Sequence, residues 1–409
     1  MTARSAKLHV HVDSLGILSE LGSGGQGTVY TISEKAPGLR ALPYPNLVYV
    51  YKEYNQSARA ALDPDVLDEM ARYAAELTSG PERLGDRLGW PLATVERNGA
   101  VSGFLMRRAS PNFEVQLQLP SGVKQTLAEV QLLLNDGQYL ADRTLPVHNR
   151  WRLQFLRDTA ATLAQLHQSD IAVGDLSPKN LLASFSTRPC CFFLDCDAMR
   201  IAGRSALDQV ETTGWEIPNG EEKATIASDA YKLALLAIRL FAGDQDSNDA
   251  AALSAAYPPL GQLAQWGIST NPSARPMPIR WLPTLDAAIP RTTTALPWEQ
   301  SRSKAGGATA PKRLVTATTP RSAPTTAPQP LQGRTAPTPP PSAPNHRGKK
   351  FGITLAVIFG IALVVVSLLF MIDVLPHIKS GPSGEGSTSL TASDPNPRVS
   401  TELILPRAC

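Results

Sequence analysis

The segment Ile171-Ala-Val-Gly-Asp-Leu-Ser-Pro-Lys-Asn-Leu-Leu182 holds the residues best suited to chemistry. Asp175 and Asn180 lie five apart on a loop stiffened by Pro178, and the loop runs into an apolar, strand-like stretch. Fifteen residues beyond Asn180, Asp195 closes the buried-strand pattern of Cys-Cys-Phe-Phe-Leu-Asp-Cys-Asp197. A carboxylate at the end of a buried strand is costly unless it is paired or bound to a cation. A carboxylate base, an amide oxygen and a second carboxylate are what phosphoryl transfer from Mg-ATP requires: hard oxygen ligands for magnesium and a group that positions the attacking hydroxyl. The plainer alternative is a polar turn followed by a capped strand.

Two further features sit upstream. Gly22, Gly24 and Gly27 form a GxGxxG within Gly22-Ser-Gly-Gly-Gln-Gly27. A dinucleotide-binding loop would run from a strand into a helix, whereas Thr28-Val29-Tyr30 continues as a strand. The pattern therefore predicts a hairpin whose glycines let backbone amides approach phosphates, with a plain glycine-rich turn as the alternative. Lys52 ends the apolar run Tyr-Val-Tyr-Lys, 25 residues after Gly27. Such a lysine ordinarily reaches out to solvent, but beside a phosphate loop it can hold the α- and β-phosphates. It then needs an acidic partner. Glu69 and Glu76 are seven apart on one face of a predicted helix over 65–77, and Glu69 is the preferred partner.

The elements that must carry these residues show in the periodicity. Leu8–Val12, Leu15–Leu21, Thr28–Thr31 and Leu47–Lys52 read as strands, rich in β-branched and aromatic residues. Helical periodicity covers 64–77, 150–168 and 226–242. The 43% hydrophobic content of the 409 residues suffices for a real core. The net charge of +3 conceals an asymmetry: residues 301–350 hold nine Lys or Arg and no acid. The body before them is net acidic, which argues against nucleic acid as a partner. Cys190, Cys191 and Cys196 cluster without a CxxC, so they read as reduced, buried strand cysteines rather than a zinc site. The opening residues lack the continuous apolar stretch of a signal peptide.

Beyond the body, residues 291–350 read as a disordered Pro/Thr/Ala-rich basic linker, with ten prolines between 301 and 350. Residues 351–372 carry no charge and would span about 33 Å as a helix, enough to cross a bilayer core of about 30 Å. His346, Arg347, Lys349 and Lys350 precede this stretch and Asp373 follows it. The basic excess predicts a single-pass membrane protein with its body in the cytoplasm and the short tail 373–409 outside.

With these residues in order along the chain, residues 8–290 resemble a protein kinase domain. Leu21–Val29 resembles the glycine-rich loop, with Val29 over the adenine. Lys52 sits where the family's strand lysine sits. Gly103-Phe-Leu-Met-Arg-Arg108 resembles the strand entering the hinge, with Met106 gatekeeper-like. Asp175-Leu-Ser-Pro-Lys-Asn180 resembles the catalytic loop, Leu194-Asp195-Cys-Asp197 the DFG segment, and the Asp229 helix the one that supports the catalytic loop. Asn271-Pro-Ser-Ala-Arg275-Pro276 resembles the late arginine motif.

The resemblance implies an α+β, two-lobed kinase-like fold, with a small β-rich N-lobe and a helical C-lobe. It implies ATP and Mg2+ as cofactors and transfer of the γ-phosphoryl to Ser or Thr of a protein substrate. Asp175 would act as base, Lys52 and Lys179 on the phosphates, and Asn180 and Asp195 on magnesium. Glycines 22, 24 and 27, Val29, Glu69 and Met106 would complete the nucleotide site, and a counteracting phosphatase would be a natural partner.

The overall pattern is closest to a divergent, eukaryote-like bacterial Ser/Thr kinase of the non-RD type. A catalytically weak pseudokinase scaffold that binds nucleotide is the alternative. Several positions depart from the family pattern. Val173-Gly174 replaces the usual His-Arg, which argues against an activation-loop phosphate switch. Asp197 replaces the DFG glycine and either assists a metal or faces solvent. Asn219 cannot form the usual ion pair with Arg275. Thr212 falls where kinases keep a threonine that contacts the catalytic aspartate.

Overall fold

The computed structural model describes residues 8–79, 83–218 and 220–296, a mixed α+β body. The basic linker after residue 296, the apolar stretch 351–372 and the tail 373–409 lie outside the described residues. Among the described residues no helix is long and apolar enough to cross a membrane.

The first half is built on strands β1 (His9–His11), β2 (Ser19–Gly24), β3 (Gly27–Thr31) and β4 (Tyr49–Tyr54). Helices α1 (Gln56–Ala61) and α2 (Pro64–Ser79) follow, then β5 (Ala93–Arg97) and β6 (Ala100–Arg107). These strands form one six-stranded sheet in the order β1-β5-β6-β4-β3-β2, antiparallel except for the β1–β5 pair. The glycine segment is a hairpin, with Gly22 opposite Val29 and Gly24 opposite Gly27. β2 begins at Ser19, later than the predicted strand over 15–21. Val12–Leu15 instead turns as a short 3-10 helix that buries Val12 and Leu15. β4 runs down the middle of the sheet, with Val29 opposite Lys52 on one side and Phe104 opposite Lys52 on the other. Helix α2 lies against β5 and buries Val66, Leu67, Met70, Ala71, Ala74 and Leu77, the apolar face its periodicity predicts.

Strands β7 (Glu114–Leu119) and β8 (Gly122–Leu127) form a separate hairpin that leads to the helical half. Helices α3 (Gly137–Asp142) and α4 (Asn149–Gln168) precede the short strands β9 (Ile171–Ala172), β10 (Leu181–Ala183), β11 (Cys191–Phe193), β12 (Arg200–Ile201) and β13 (Arg204–Ser205). Helices α5 (Ile226–Ala242), α6 (Ala251–Ala256), α7 (Pro258–Gly267) and α8 (Pro278–Ala288) complete the body. α4 and α5 coincide closely with the helical patterns at 150–168 and 226–242. α4 packs on α8 and α5, and its Leu153, Phe155, Leu156, Leu163 and Leu166 meet Leu233, Ile238, Trp281 and Leu285 in one buried core. α5 starts on a capping box in which the Thr225 and Ser228 side chains each accept from the other's backbone N–H, and it ends at Gly243 in the left-handed region.

Cys191 and Cys196 are free, buried thiols, and burial pushes Cys191 up to about 12.

Candidate functional site

The glycine hairpin is held down onto the sheet. Asn55 Nδ2 donates to the Gly25 carbonyl at 2.7 Å, and the Asn55 N–H donates to the Gln26 carbonyl. A Cβ at Gly27 would sit 2.0 Å from the Glu53 carbonyl oxygen, so only glycine lets β3 approach β4 this closely. Gly22 and Gly24 face open space, where their backbone remains approachable. Lys52, 3% exposed, points from β4 beneath the hairpin tip, and its Nζ donates to Gln26 Oε1 at 3.1 Å. It also donates to both oxygens of Asp197, at 2.9 and 3.0 Å, and to Asp195 Oδ1 at 3.2 Å. Burial alone would lower the ammonium's pKa; the Asp197 and then the Asp195 charge outweigh it and hold Lys52 above its ordinary value.

Asn180 and Asp195 reach the same place through a short antiparallel pair. β10 and β11 match Leu181 with Phe193, so the residues just outside them are neighbours, and the Leu194 N–H donates to the Asn180 carbonyl at 2.8 Å. β11 is fixed from behind by α4, whose Asp158 accepts the Cys191 N–H at 2.8 Å and pairs with buried Arg87. Directly after β11 the backbone turns at Asp195, in the left-handed region at φ 50°, into a 3-10 turn that faces Asp197 inward.

Asp175 lies on the loop between β9 and β10. Its Oδ2 accepts from Asn180 Nδ2 at 2.9 Å and from the Thr212 hydroxyl at 3.0 Å, and its Oδ1 accepts from the Thr212 N–H at 3.2 Å. Donation by the Asn180 nitrogen to Asp175 orients the amide so that its oxygen is free to meet a cation. Burial pushes the Asp175 carboxyl above its ordinary value, against the opposing effects of the Lys232 charge and the Thr212 hydrogen bonds. The loop itself is braced by wholly buried Asp229 of α5, which accepts the Val173 N–H at 2.7 Å, the Gly174 N–H at 2.9 Å and a bond with His167 Nε2 at 2.9 Å. Asp229 therefore braces the start of the loop that carries Asp175.

Several expected placements change. The Lys52–Glu69 pair does not form. Glu69 looks away from the sheet and accepts from Arg204 of β13 at 3.0 Å, and Glu76 is exposed on the same outer face. The physical reason is that α2 turns its apolar face to β5. Its inward carboxylate is then Asp68, which accepts from Thr94 at 3.1 Å. Asp197, expected to assist a metal or face solvent, is instead the buried partner of Lys52 and also accepts the Tyr54 hydroxyl at 2.9 Å. Burial first, and then the Asp197 charge, hold the Tyr54 phenol well above its ordinary value. Arg275 does find a carboxylate despite Asn219: it forms a fork with Glu221, Nη1 lying 2.8 Å from Oε2. Met106 is buried on β6, opposite Val50, and Val29 is half-buried on β3. Lys179 is exposed beside Asn180, and its charge acts on Glu129.

Sequence reasoning missed Lys232. This buried lysine donates to the Gly174 carbonyl at 2.8 Å and pairs with Glu211 at 2.7 Å. A charge in the middle of the apolar α5 pattern was the available signal. Gly174 itself has φ 75°, and a Cβ there would lie 2.5 Å from Gln209 and 2.9 Å from Ala224, so no arginine fits at that position. Among the described residues no group of three or more His, Cys, Asp or Glu is disposed to hold a metal. No family model and no curated protein matches this chain.

Proposed function

We propose that the chain is a membrane-anchored protein kinase of the eukaryote-like bacterial type, with a two-lobed fold, transferring the γ-phosphoryl of Mg-ATP to Ser or Thr of proteins. The observation that carries the reading is the convergence of Lys52, Asp195 and the Asp175–Asn180 loop, from three separate segments, near the glycine hairpin.

The residues suit both cofactors. Asp195 and Asn180 offer hard oxygens of the kind magnesium selects, and the Asp195 carboxylate is 46% exposed and accessible. Magnesium, when bound, neutralises charge on the phosphates. Lys52 binds the α- and β-phosphates below the open backbone of Gly22 and Gly24. Asp175, held by Thr212 and Asn180, orients the acceptor hydroxyl and takes its proton. Lys179, exposed at the loop, neutralises the γ-phosphate. Met106 and Val29 border the base.

The basic cluster at 346–350 and the apolar stretch 351–372 support a body on the cytoplasmic face. Its partners in this reading are a protein substrate and a counteracting phosphatase, with no nucleic acid. The grip of Asp195, Asp197 and Gln26 on Lys52 also suits a second reading, a nucleotide-binding pseudokinase scaffold.

Incubation of the purified full chain with labelled ATP and magnesium separates the two readings. The kinase reading expects label on Ser or Thr and its loss, by about 10²–10³-fold, in Lys52→Ala and Asp195→Asn. Binding of ATP without any transfer would leave the scaffold. Full activity in either variant would remove that residue from the mechanism.

A further inference from the structure

The position of Asp197 stands out against the resemblance, which places a glycine there. Its carboxylate is wholly buried and is spent on two donors: Lys52, at 2.9 and 3.0 Å, and the Tyr54 hydroxyl, at 2.9 Å. Lys52 and Tyr54 are two apart on β4 and so point to the same face of the sheet. Phe104 on β6 lies 5.8 Å from both the Lys52 ammonium and the Tyr54 ring, closing the pocket with apolar surface. Asp195, by contrast, touches Lys52 with one oxygen while nearly half exposed. It can turn to a cation without leaving a buried lysine unpaired; Asp197 cannot. Among the described residues the hydrogen bonds and ion pairs of Lys52 go to Gln26, Asp195 and Asp197 and none to α2, and Glu69, the acid expected there, is held by Arg204.

We propose that Asp197 is the residue that positions Lys52 for the nucleotide phosphates, taking over from helix α2 the acidic partner that a phosphate-holding lysine requires. The inference rests on the proposed function and names how its phosphate site is organised. The lysine's anchor, Asp197, and the magnesium-facing Asp195 thereby share one feature, the 3-10 turn after β11 and the residue that begins it, only two residues apart. Tyr54 fixes the second oxygen of Asp197, so the carboxylate has a single orientation. The outer acid of α2 is left to pair with β13 and contributes nothing to phosphate binding.

Equilibrium binding of AMP-PNP to the full chain tests this, once in excess EDTA and once in excess magnesium. A lysine-positioning role predicts that Asp197→Asn weakens binding about tenfold or more in both conditions. Lys52→Met should do the same, the Lys52→Met/Asp197→Asn double variant should bind no worse than Lys52→Met alone, and Glu69→Gln should bind as the wild type does. Loss confined to the magnesium condition would make Asp197 a metal ligand and overturn the inference. Wild-type affinity in Asp197→Asn, or a loss in Glu69→Gln equal to that of Lys52→Met, would overturn it as well.

Removing one member of a buried pair can unfold a protein, whereas removing both is often tolerated. If Asp197→Asn does not fold, a folded double variant supports the pairing and an unfolded one refutes it. Failure of the wild-type chain to bind AMP-PNP in either condition would instead sink the functional reading, and the inference with it.

Discussion

Asp175 is where burial and chemistry meet most directly. Its carboxyl is raised from 3.8 because the loop removes it from water faster than Lys232 and Thr212 compensate. A base must be ionised to accept a proton. As the pH falls, the transfer rate should therefore drop with an apparent midpoint above 3.8, measured as kcat/KM against pH with a protein substrate. A midpoint at or below that value would remove Asp175 as the titrating base. The same shift has a sign for stability. Because the folded value is raised, the group's favourable contribution is complete below 3.8 and is lost as the pH rises through the shifted value. At neutral pH the fold thus holds an ionised, half-buried carboxylate at a cost, offset by its three hydrogen bonds from Thr212 and Asn180.

Among the elements, α5 does the most to position the site while contributing no group that would touch substrate. Its first turn presents Asp229 to two backbone amides of the Asp175 loop, and one turn on, Lys232 takes the Gly174 carbonyl. The element is itself anchored by Arg275, whose side chain is wholly buried, pairs with Glu221 and donates to the Ala227 carbonyl in the first turn of α5. Breaking a buried pair from one side leaves an uncompensated charge. Glu221→Gln should therefore cost about 3 kcal/mol, read from the urea denaturation midpoint, and Glu221→Leu/Arg275→Leu should cost less than Glu221→Gln alone. A neutral Glu221→Gln would show that the Ala227 and Ser269 carbonyls suffice to hold Arg275.

On the scale of the whole molecule, the acidic body and the basic segment before residue 351 assign opposite roles along one chain. A cluster of three fixed positive charges at 347–350, set against Asp373, favours retention of the N-terminal side in the cytoplasm. Protease added to intact cells should remove a tag fused after Cys409 and spare the body. Digestion of the body from outside would reverse the topology.

Much of this was legible along the chain, and the reason is locality. The helices α2, α4 and α5 announce themselves because an amphipathic face repeats every 3.6 residues whatever it packs against. The glycine hairpin, the Asp175–Asn180 loop and the Asp195 strand end were readable because turn chemistry and strand alternation are decided within a few residues. The parallel β1–β5 pairing and the β7–β8 hairpin were not read, since pairing depends on partners that local patterns do not name. The partners of charges were the harder part. Spacing places Glu69 and Glu76 on one face of α2 but not the direction of that face, which is set by what β5 leaves room for. Glu221 carries no mark in the sequence to separate it from surface acids, and Asp197, although it stands where the resemblance places a glycine, shows nothing there of its partner. Only the tertiary structure decides that a left-handed residue at Asp195 turns Asp197 inward to Lys52, and that Glu221 meets Arg275, because a buried charge takes whichever opposite charge the packed chain brings within hydrogen-bond reach.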